Sequence, residues 1–464
     1  MQNGECQMPN ATDSLGTRHS ALDTAHLALN TEHERLEQTM LDLRYIREHA
    51  DDVRARIATL YTDTPLDEIL ALDERHRAIL GEVEDARARR NAGSKDVSKE
   101  RDPEERNRKI AAMRALGDRI AELEKELTEI KARLDAALLE MPNLPDPDVP
   151  VGKDDSENVI LGHWGAQRQF DFAPQPHWDL GPALDIIDFE RGVKVSGSRF
   201  YLLKGLGARL QRALIAWMID LHTEKHGYTE IYPPYLVKTE ALYGTAQLPK
   251  FAENQYHDEP SDLWMIPTAE VPVTNMHADE ILEPGTLPRY YVAYTACFRR
   301  EQLSGGRDTR GIKRGHQFDK VEMVKFVAPD TSDAELTSLV QQAADVLEAL
   351  NLPYRTVQMC TGDLSFTAAK KIDLEVWAPG CDEWLEVSSC SNFRDFQARR
   401  ANIRYRPELG ARPAYVHTLN GSGLALPRVM IAIMENYQQA DGTIVVPPPL
   451  RPYLGGREII GPAS

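Results

Sequence analysis

The chain has 464 residues, with 54 Lys and Arg against 72 Asp and Glu, a formal charge of −18, and 42% of its residues are hydrophobic. That mixture describes a globular protein of two or three domains, and its acidity excludes a protein that coats nucleic acid non-specifically while leaving room for a local basic arm. Five cysteines (Cys6, Cys297, Cys360, Cys381 and Cys390) without a C-x-x-C pair argue against a disulfide framework or structural zinc and for a reducing cytoplasmic setting, and no apolar run approaches the roughly 20 residues of a membrane helix.

Residues 1–39 carry six acidic residues against Arg18 and Arg35 and no apolar core, which fits neither a transit peptide nor a secretory signal; they are expected to be a disordered extension. Residues 40–141 are expected to be helical. After Thr64, predicted to cap a helix with Pro65 in its first turn, Leu66, Ile69, Leu72, His76, Ile79 and Val83 recur at spacings of three and four. The pattern lapses over residues 91–102 and resumes through Ile110, Met113, Leu116, Ile120, Leu123, Leu127, Ile130, Leu134 and Leu138. Two heptad helices joined by a polar turn predict an antiparallel coiled-coil hairpin, each arm about 40 to 50 Å long. Residues 87–109 hold nine basic and five acidic residues. Within this acidic chain, such a tip suits salt-sensitive phosphate contacts, with Arg87, Arg89, Arg90, Lys95, Lys99 and Arg101 as candidates.

Pro142, Pro145, Pro147 and Pro150 then forbid a continuing helix, so residues 142–160 are expected to be a linker. Residues 161–464 mix helical runs with alternating strands and read as one large domain. Phe298-Arg299-Arg300-Glu301, a Gly-rich stretch at 304–311 and an alternating run from Arg314 predict strand, loop, strand. A period of two would set Arg314, His316, Phe318, Lys320 and Glu322 on one face, with Phe318 and Glu322 about 13 Å apart, the span of an aminoacyl-adenylate. Further on, Asn420-Gly421-Ser422-Gly423-Leu424-Ala425-Leu426-Pro427-Arg428 leads into an apolar helix over 429–437, with Pro427 in its first turn and Arg428 free to lean towards phosphate.

These segments resemble the bacterial-type seryl-tRNA synthetases, a family of class II aminoacyl-tRNA synthetases. Residues 227–234 resemble motif 1, residues 298–326 motif 2 and residues 421–435 motif 3; the stretches 247–251, 267–272 and 386–392 resemble serine-specific segments. The resemblance implies an α+β fold: a coiled-coil arm on residues 40–141 and a class II catalytic domain of antiparallel sheet flanked by helices on 161–464. It also implies a cytoplasmic homodimer that ligates L-serine to tRNA(Ser), with tRNA(Sec) as a second acceptor, through a seryl-adenylate made from ATP. Arg299, Glu322 and Arg428 are the catalytic residues it implies. ATP would meet Arg299, Arg300, Glu301, Arg314, Phe318, Glu386, Val387, Ser388, Ser389 and Arg428. Serine would meet Thr268, Ala269, Glu270, Arg299, Glu322, Asn420 and Ser422. Glu386 and Ser389 would hold Mg²⁺ with the nucleotide. Two other functions share parts of this pattern: an adenylating ligase with a carrier-protein acceptor, which would lack the basic hairpin, and an adaptor on an inactive synthetase body, which would not need its arginines and carboxylates.

Overall fold

A computed structural model describes residues 42–302 and 310–462, so the expected extension at 1–39 lies outside the described residues. Two short helices, α1 (Leu43–Glu48) and α2 (Ala50–Ala58), lead to the long helices α3 (Leu66–Lys99) and α4 (Pro103–Leu139). Pro65 occupies the N-cap of α3 and no side chain caps it, in place of the predicted Thr64 cap. At the turn α4 is capped: Asp102 accepts from the Glu104 amide at 3.1 Å and Pro103 opens the helix, where a missing N–H costs nothing. The lapse over 91–102 does not end α3, which runs on to Lys99, since a helix end needs no buried stripe once its base is packed. Arg75–Glu126, Arg119–Glu82 and Arg133–Glu68 ion pairs tie the two arms in antiparallel register.

Ile69, Ile79, Val83, Leu123 and Leu134 form the seam of the hairpin, and its base continues into Met141, Leu144, Ala246 and Phe396. The proline-rich segment after α4 is therefore packed rather than free. Asn143 Nδ2 donates to the carbonyls of Thr367 and Phe393, each at 2.8 Å, and Asp146 pairs with Arg394 at 2.6 Å. Proline stops regular structure there, while the apolar residues between the prolines still find a core.

The remaining chain is built on an eight-stranded sheet. Its strands are β1 (Val159–Trp164), β2 (Thr229–Glu230), β3 (Arg289–Phe298), β4 (Gln317–Val327), β5 (Tyr354–Gln358), β6 (Lys370–Ala378), β7 (Glu383–Asn392) and β8 (His417–Ala425). Their order is β1-β5-β6-β7-β8-β4-β3-β2, antiparallel throughout except for β2 beside β3. Helices α5 (His177–Ala183), α6 (Gly205–Glu224), α8 (Ser332–Ala349) and α9 (Leu426–Asn436) flank the sheet, and short α7 (Glu270–Asn275) lies on its other side. The strand period decides which face is which. In β4, Val321 and Met323 join Leu214, Leu339 and Ile433 of the flanking helices, while Val324 and Phe326 pack with Ala269 and Val273 at α7. The alternate residues Phe318, Lys320 and Glu322 face an open cleft. The fold is thus α+β, a helical hairpin beside an antiparallel sheet with helices.

Candidate active site

The cleft encloses about 490 Å³ and is lined from β4, β6, β7, β8, the start of α9 and the loop at 365–367. At its deep end, polar side chains are buried together. Glu322 is 1% exposed and Glu270 7%. A single amide bridges them: Asn420 Nδ2 donates to Glu322 Oε1 at 2.8 Å and to Glu270 Oε2 at 3.0 Å. Gln397 Nε2 donates to Glu270 Oε1 at 2.6 Å and is itself oriented by the Thr418 hydroxyl at 2.8 Å. Lys320 pairs with Glu322 and donates to Thr268 Oγ1 at 2.9 Å. Burial, and then the charge of Glu322, push the Glu270 carboxyl up to about 7. Two carboxylates, a hydroxyl and an amide converging in a small buried space can recognise a compact ligand bearing an ammonium and a hydroxyl.

The other end is cationic. Arg299 donates from Nε to the Pro267 carbonyl at 3.3 Å and holds its guanidinium 5.1 Å from the Phe318 ring centroid. Arg314 pairs with Glu301 at 3.5 Å. Arg428, in the first turn of α9 beside Pro427, donates to the Glu386 carbonyl at 2.6 Å and lies 3.6 Å from its carboxylate. Arg428 thus takes the acceptors next to it on β7, while Arg299 covers Phe318. Glu386 is exposed to the cleft; the protein packed around it disfavours its charge, yet Arg428, Lys371, Arg299 and Arg314 hold its pKa below the usual carboxylate range.

Glu386 and Ser389 would face opposite ways on a regular strand. The pairing of β6 with β7 slips between Leu374 and Glu375, matching Leu374 to Ser388 and Glu375 to Glu386, so Val387 is an extra residue. This bulge returns Glu386 and Ser389 to one face, and both line the cleft. A carboxylate and a hydroxyl on one face are hard oxygen donors, which fits a Mg²⁺ ion shared with phosphates.

Of the ATP- and serine-site residues expected from sequence, Thr268, Glu270, Arg299, Glu301, Arg314, Phe318, Glu322, Glu386, Val387, Ser389, Asn420, Ser422 and Arg428 line this one cleft. Three do not. Ala269 is buried with Val273 and Phe326 beneath it. Ser388 falls on the far side of the bulge, and its hydroxyl donates to the Ser422 carbonyl at 2.7 Å. Arg300 points away from its neighbour Arg299, with its guanidinium 5.9 Å from the Tyr256 ring. His316 also leaves the predicted face, its Nδ1 lying 3.1 Å from the Arg299 carbonyl oxygen. Sequence reasoning missed Gln397, Lys371 and Phe366; only Lys371, two residues before Asp373 on a strand, carried a signal. Arg87, Arg89, Arg90, Lys95, Lys99 and Arg101 are exposed at the far end of the hairpin, Arg87 paired with Glu124 at 2.7 Å.

An antiparallel sheet presenting arginines, an aromatic ring and acidic groups to one cleft, with an arginine in the first turn of the helix after its central strand, defines a class II aminoacyl-tRNA synthetase core. Residues 251–437 match the family model described as the tRNA synthetase class II core domain (G, H, P, S and T). Residues 40–145 match the seryl-tRNA synthetase N-terminal domain. The chain belongs to the seryl-tRNA synthetase family. It is 68% identical over 422 residues to a serine–tRNA ligase of Thermomicrobium roseum, covering 91% of this chain and 95% of that one. A seryl-tRNA synthetase structure from Pyrococcus horikoshii, complexed with ATP, superposes with a TM-score of 0.88 at 39% identity, over 92% of this chain and 100% of that chain. A cytoplasmic serine–tRNA ligase of Naegleria fowleri in complex with AMP superposes at 0.82 and 31% identity, covering 92% and 99%.

Proposed function

We propose a division of labour among these residues for the family's reaction, the ATP-dependent ligation of L-serine to tRNA(Ser). The observation that carries it is the polarity of one cleft: buried carboxylates and hydroxyls at one end, guanidinium groups at the other. Glu270 and Glu322 take the serine ammonium, with Thr268, Asn420 and Ser422 around the hydroxyl. A site that hydrogen-bonds a buried hydroxyl rejects a ligand lacking it, because its own polar groups would be stranded. Arg299 holds the serine carboxylate beside the α-phosphate, so that a carboxylate oxygen attacks phosphorus and the bond to the departing pyrophosphate breaks. No side-chain nucleophile takes part; the protein supplies position and charge. Arg314 and Glu301 contact the nucleotide, Phe318 stacks on its base, Val387 forms the wall beneath, and Arg428 swings from Glu386 to the γ-phosphate. Glu386 and Ser389 would hold a Mg²⁺ ion, which when bound neutralises charge on the phosphate oxygens. Ala269, Arg300 and Ser388 shape the site from behind.

In the second step a ribose hydroxyl of the tRNA end attacks the seryl carbonyl and AMP leaves. The basic tip, about 50 Å along the hairpin at 1.5 Å per residue, reaches the body of the tRNA through backbone contacts. tRNA(Sec) would be a second acceptor on the same basis of shape. A cytoplasmic homodimer is the working form we favour, formed about the exposed edge strand β2 and Tyr232, which is 83% exposed. No helix among the described residues is long and apolar enough to cross a membrane. Charging of purified tRNA(Ser), run beside serine-dependent ATP–pyrophosphate exchange, tests the reading. Exchange without charging would point to another acceptor, and absence of both to an inactive body.

A further inference from the structure

His177, Cys381 and Glu435 converge beside the cleft, and none of them figures in the roles above. His177 is fully buried at the start of α5, and Glu435 is fully buried on α9. His177 Nδ1 lies 2.9 Å from Glu435 Oε1, and the Ile312 amide donates to His177 Nε2 at 3.2 Å. An amide N–H can only donate. Nε2 is therefore the bare nitrogen, and Nδ1–H donates to Glu435. Burial lowers the pKa of this histidine, in keeping with a neutral ring. The same carboxylate accepts from the amides of His177, Gly380 and Cys381 and from the Cys381 thiol. The three side chains could crowd around a metal ion, but a metal on Nδ1 would move the proton to Nε2 and break the bond from Ile312. The hydrogen-bonded network satisfies every donor without one.

Ile312 stands where the chain returns to the cleft, just before Lys313 and Arg314, which line it. Gly311 has φ +75°, and a Cβ there would lie 2.0 Å from His177 Nε2, so only glycine allows the backbone this close to the ring. Trp178 grips the same stretch independently: its ring centroid is 4.5 Å from the Arg310 guanidinium and 5.4 Å from the Lys313 ammonium.

We propose that His177 and Trp178 are positioning residues for ATP: anchored through Glu435 to the helix that carries Arg428, they clamp residues 310–313 and thereby aim Lys313 and Arg314 into the cleft. This rests on the reading of Arg314 as a nucleotide contact. The two hydrogen bonds of His177 can be separated. In His177→Gln the side-chain oxygen can stand near the Nε2 position and accept from Ile312; in His177→Asn the amide reaches only Glu435. Serine-dependent exchange is measured with KM for ATP and for serine, together with thermal unfolding and the metal content of each purified protein. Loss of the Ile312 anchor in His177→Asn should raise the ATP KM about five- to tenfold, the effect of one lost hydrogen bond, with the serine KM within about twofold. His177→Gln should stay within about threefold of wild type for ATP. Should His177→Asn fail to fold, Trp178→Leu carries the same expected rise in ATP KM. A wild-type ATP KM in His177→Asn and Trp178→Leu overturns the proposal. So do equal changes in both KM values that track the melting temperature, and stoichiometric zinc lost on substitution of His177. If Arg314→Ala keeps a normal ATP KM while His177→Asn does not, the Arg314 reading fails and the clamp stands, acting through Lys313.

Discussion

Replacing Glu270 by Gln should make the protein less stable in acid and more stable in mild base, with the two stability curves crossing between. The folded carboxyl titrates at about 7 and an unperturbed one at 4.5. Between those values the folded state holds the proton that the unfolded chain releases, so stability falls as pH rises through this window and levels off above it. At about 1.4 kcal/mol per pH unit, ionising this buried group costs about 3 kcal/mol by pH 8 and nothing below 4.5. Glutamine has the same shape but one acceptor oxygen. Facing two donors, Gln397 and Asn420, it satisfies one and loses about 1 kcal/mol for the other. Net, Glu270→Gln should be destabilised by about 1 kcal/mol at pH 4.5 and stabilised by about 2 kcal/mol at pH 8. The assay is the melting temperature of both proteins from pH 4.5 to 8.5, read as a difference so that other titrating groups cancel. A difference that keeps one sign and size across the range would refute the argument, because it would mean that Glu270 carries no proton of its own in the folded protein near neutral pH.

If that proton is present, serine binding at pH 7 should release part of it, because an ammonium beside Glu270 favours the ionised form; calorimetry in buffers of different ionisation enthalpy should record a release of about half a proton, and none in Glu270→Gln. Glu322→Gln keeps an acceptor for Asn420 but loses its charge, and should lower kcat/KM for serine about 10- to 100-fold with the ATP KM within about threefold, as exchange kinetics would show. An unchanged serine KM would remove Glu322 from the amino-group site. A short turn in place of residues 86–118 removes the basic tip but spares the buried base at Ile69, Ile79, Leu123 and Leu134. Charging should fall at least tenfold and the salt dependence of tRNA binding should flatten, while serine-dependent exchange stays within about twofold. Intact tRNA affinity would make the hairpin purely structural.

What the sequence revealed followed its periodicities. Heptads fixed the hairpin, and the period of two in β4 correctly turned Phe318, Lys320 and Glu322 to one surface. What it hid depends on breaks in period and on distant partners. The bulge at Val387 decides that Ser389 and not Ser388 meets the cleft, and no local residue preference announces it. Gln397 reaches Glu270 across 127 positions of sequence from a short helix without an apolar pattern. The prolines at 142–150 predict a linker, yet the intervening Asn143 and Leu144 are buried, since proline forbids a helix without forbidding a core.

That packed joint makes the hairpin a lever. Its short end is seated on Phe396 and Ala246, and Asn143 is bonded to the carbonyls of Thr367 and Phe393, whose residues also line the cleft. With an arm of about 50 Å, a tilt of 5° at the base sweeps the tip through about 4 Å. Read in the other direction, a displacement of several ångströms at the tip arrives at the cleft wall as a fraction of one, small enough to leave packing intact and large enough to retune a hydrogen bond. On the proposal that an RNA rests on the tip, this gearing would turn a bulky adjustment at one end into a shift on the scale of a single contact at the other.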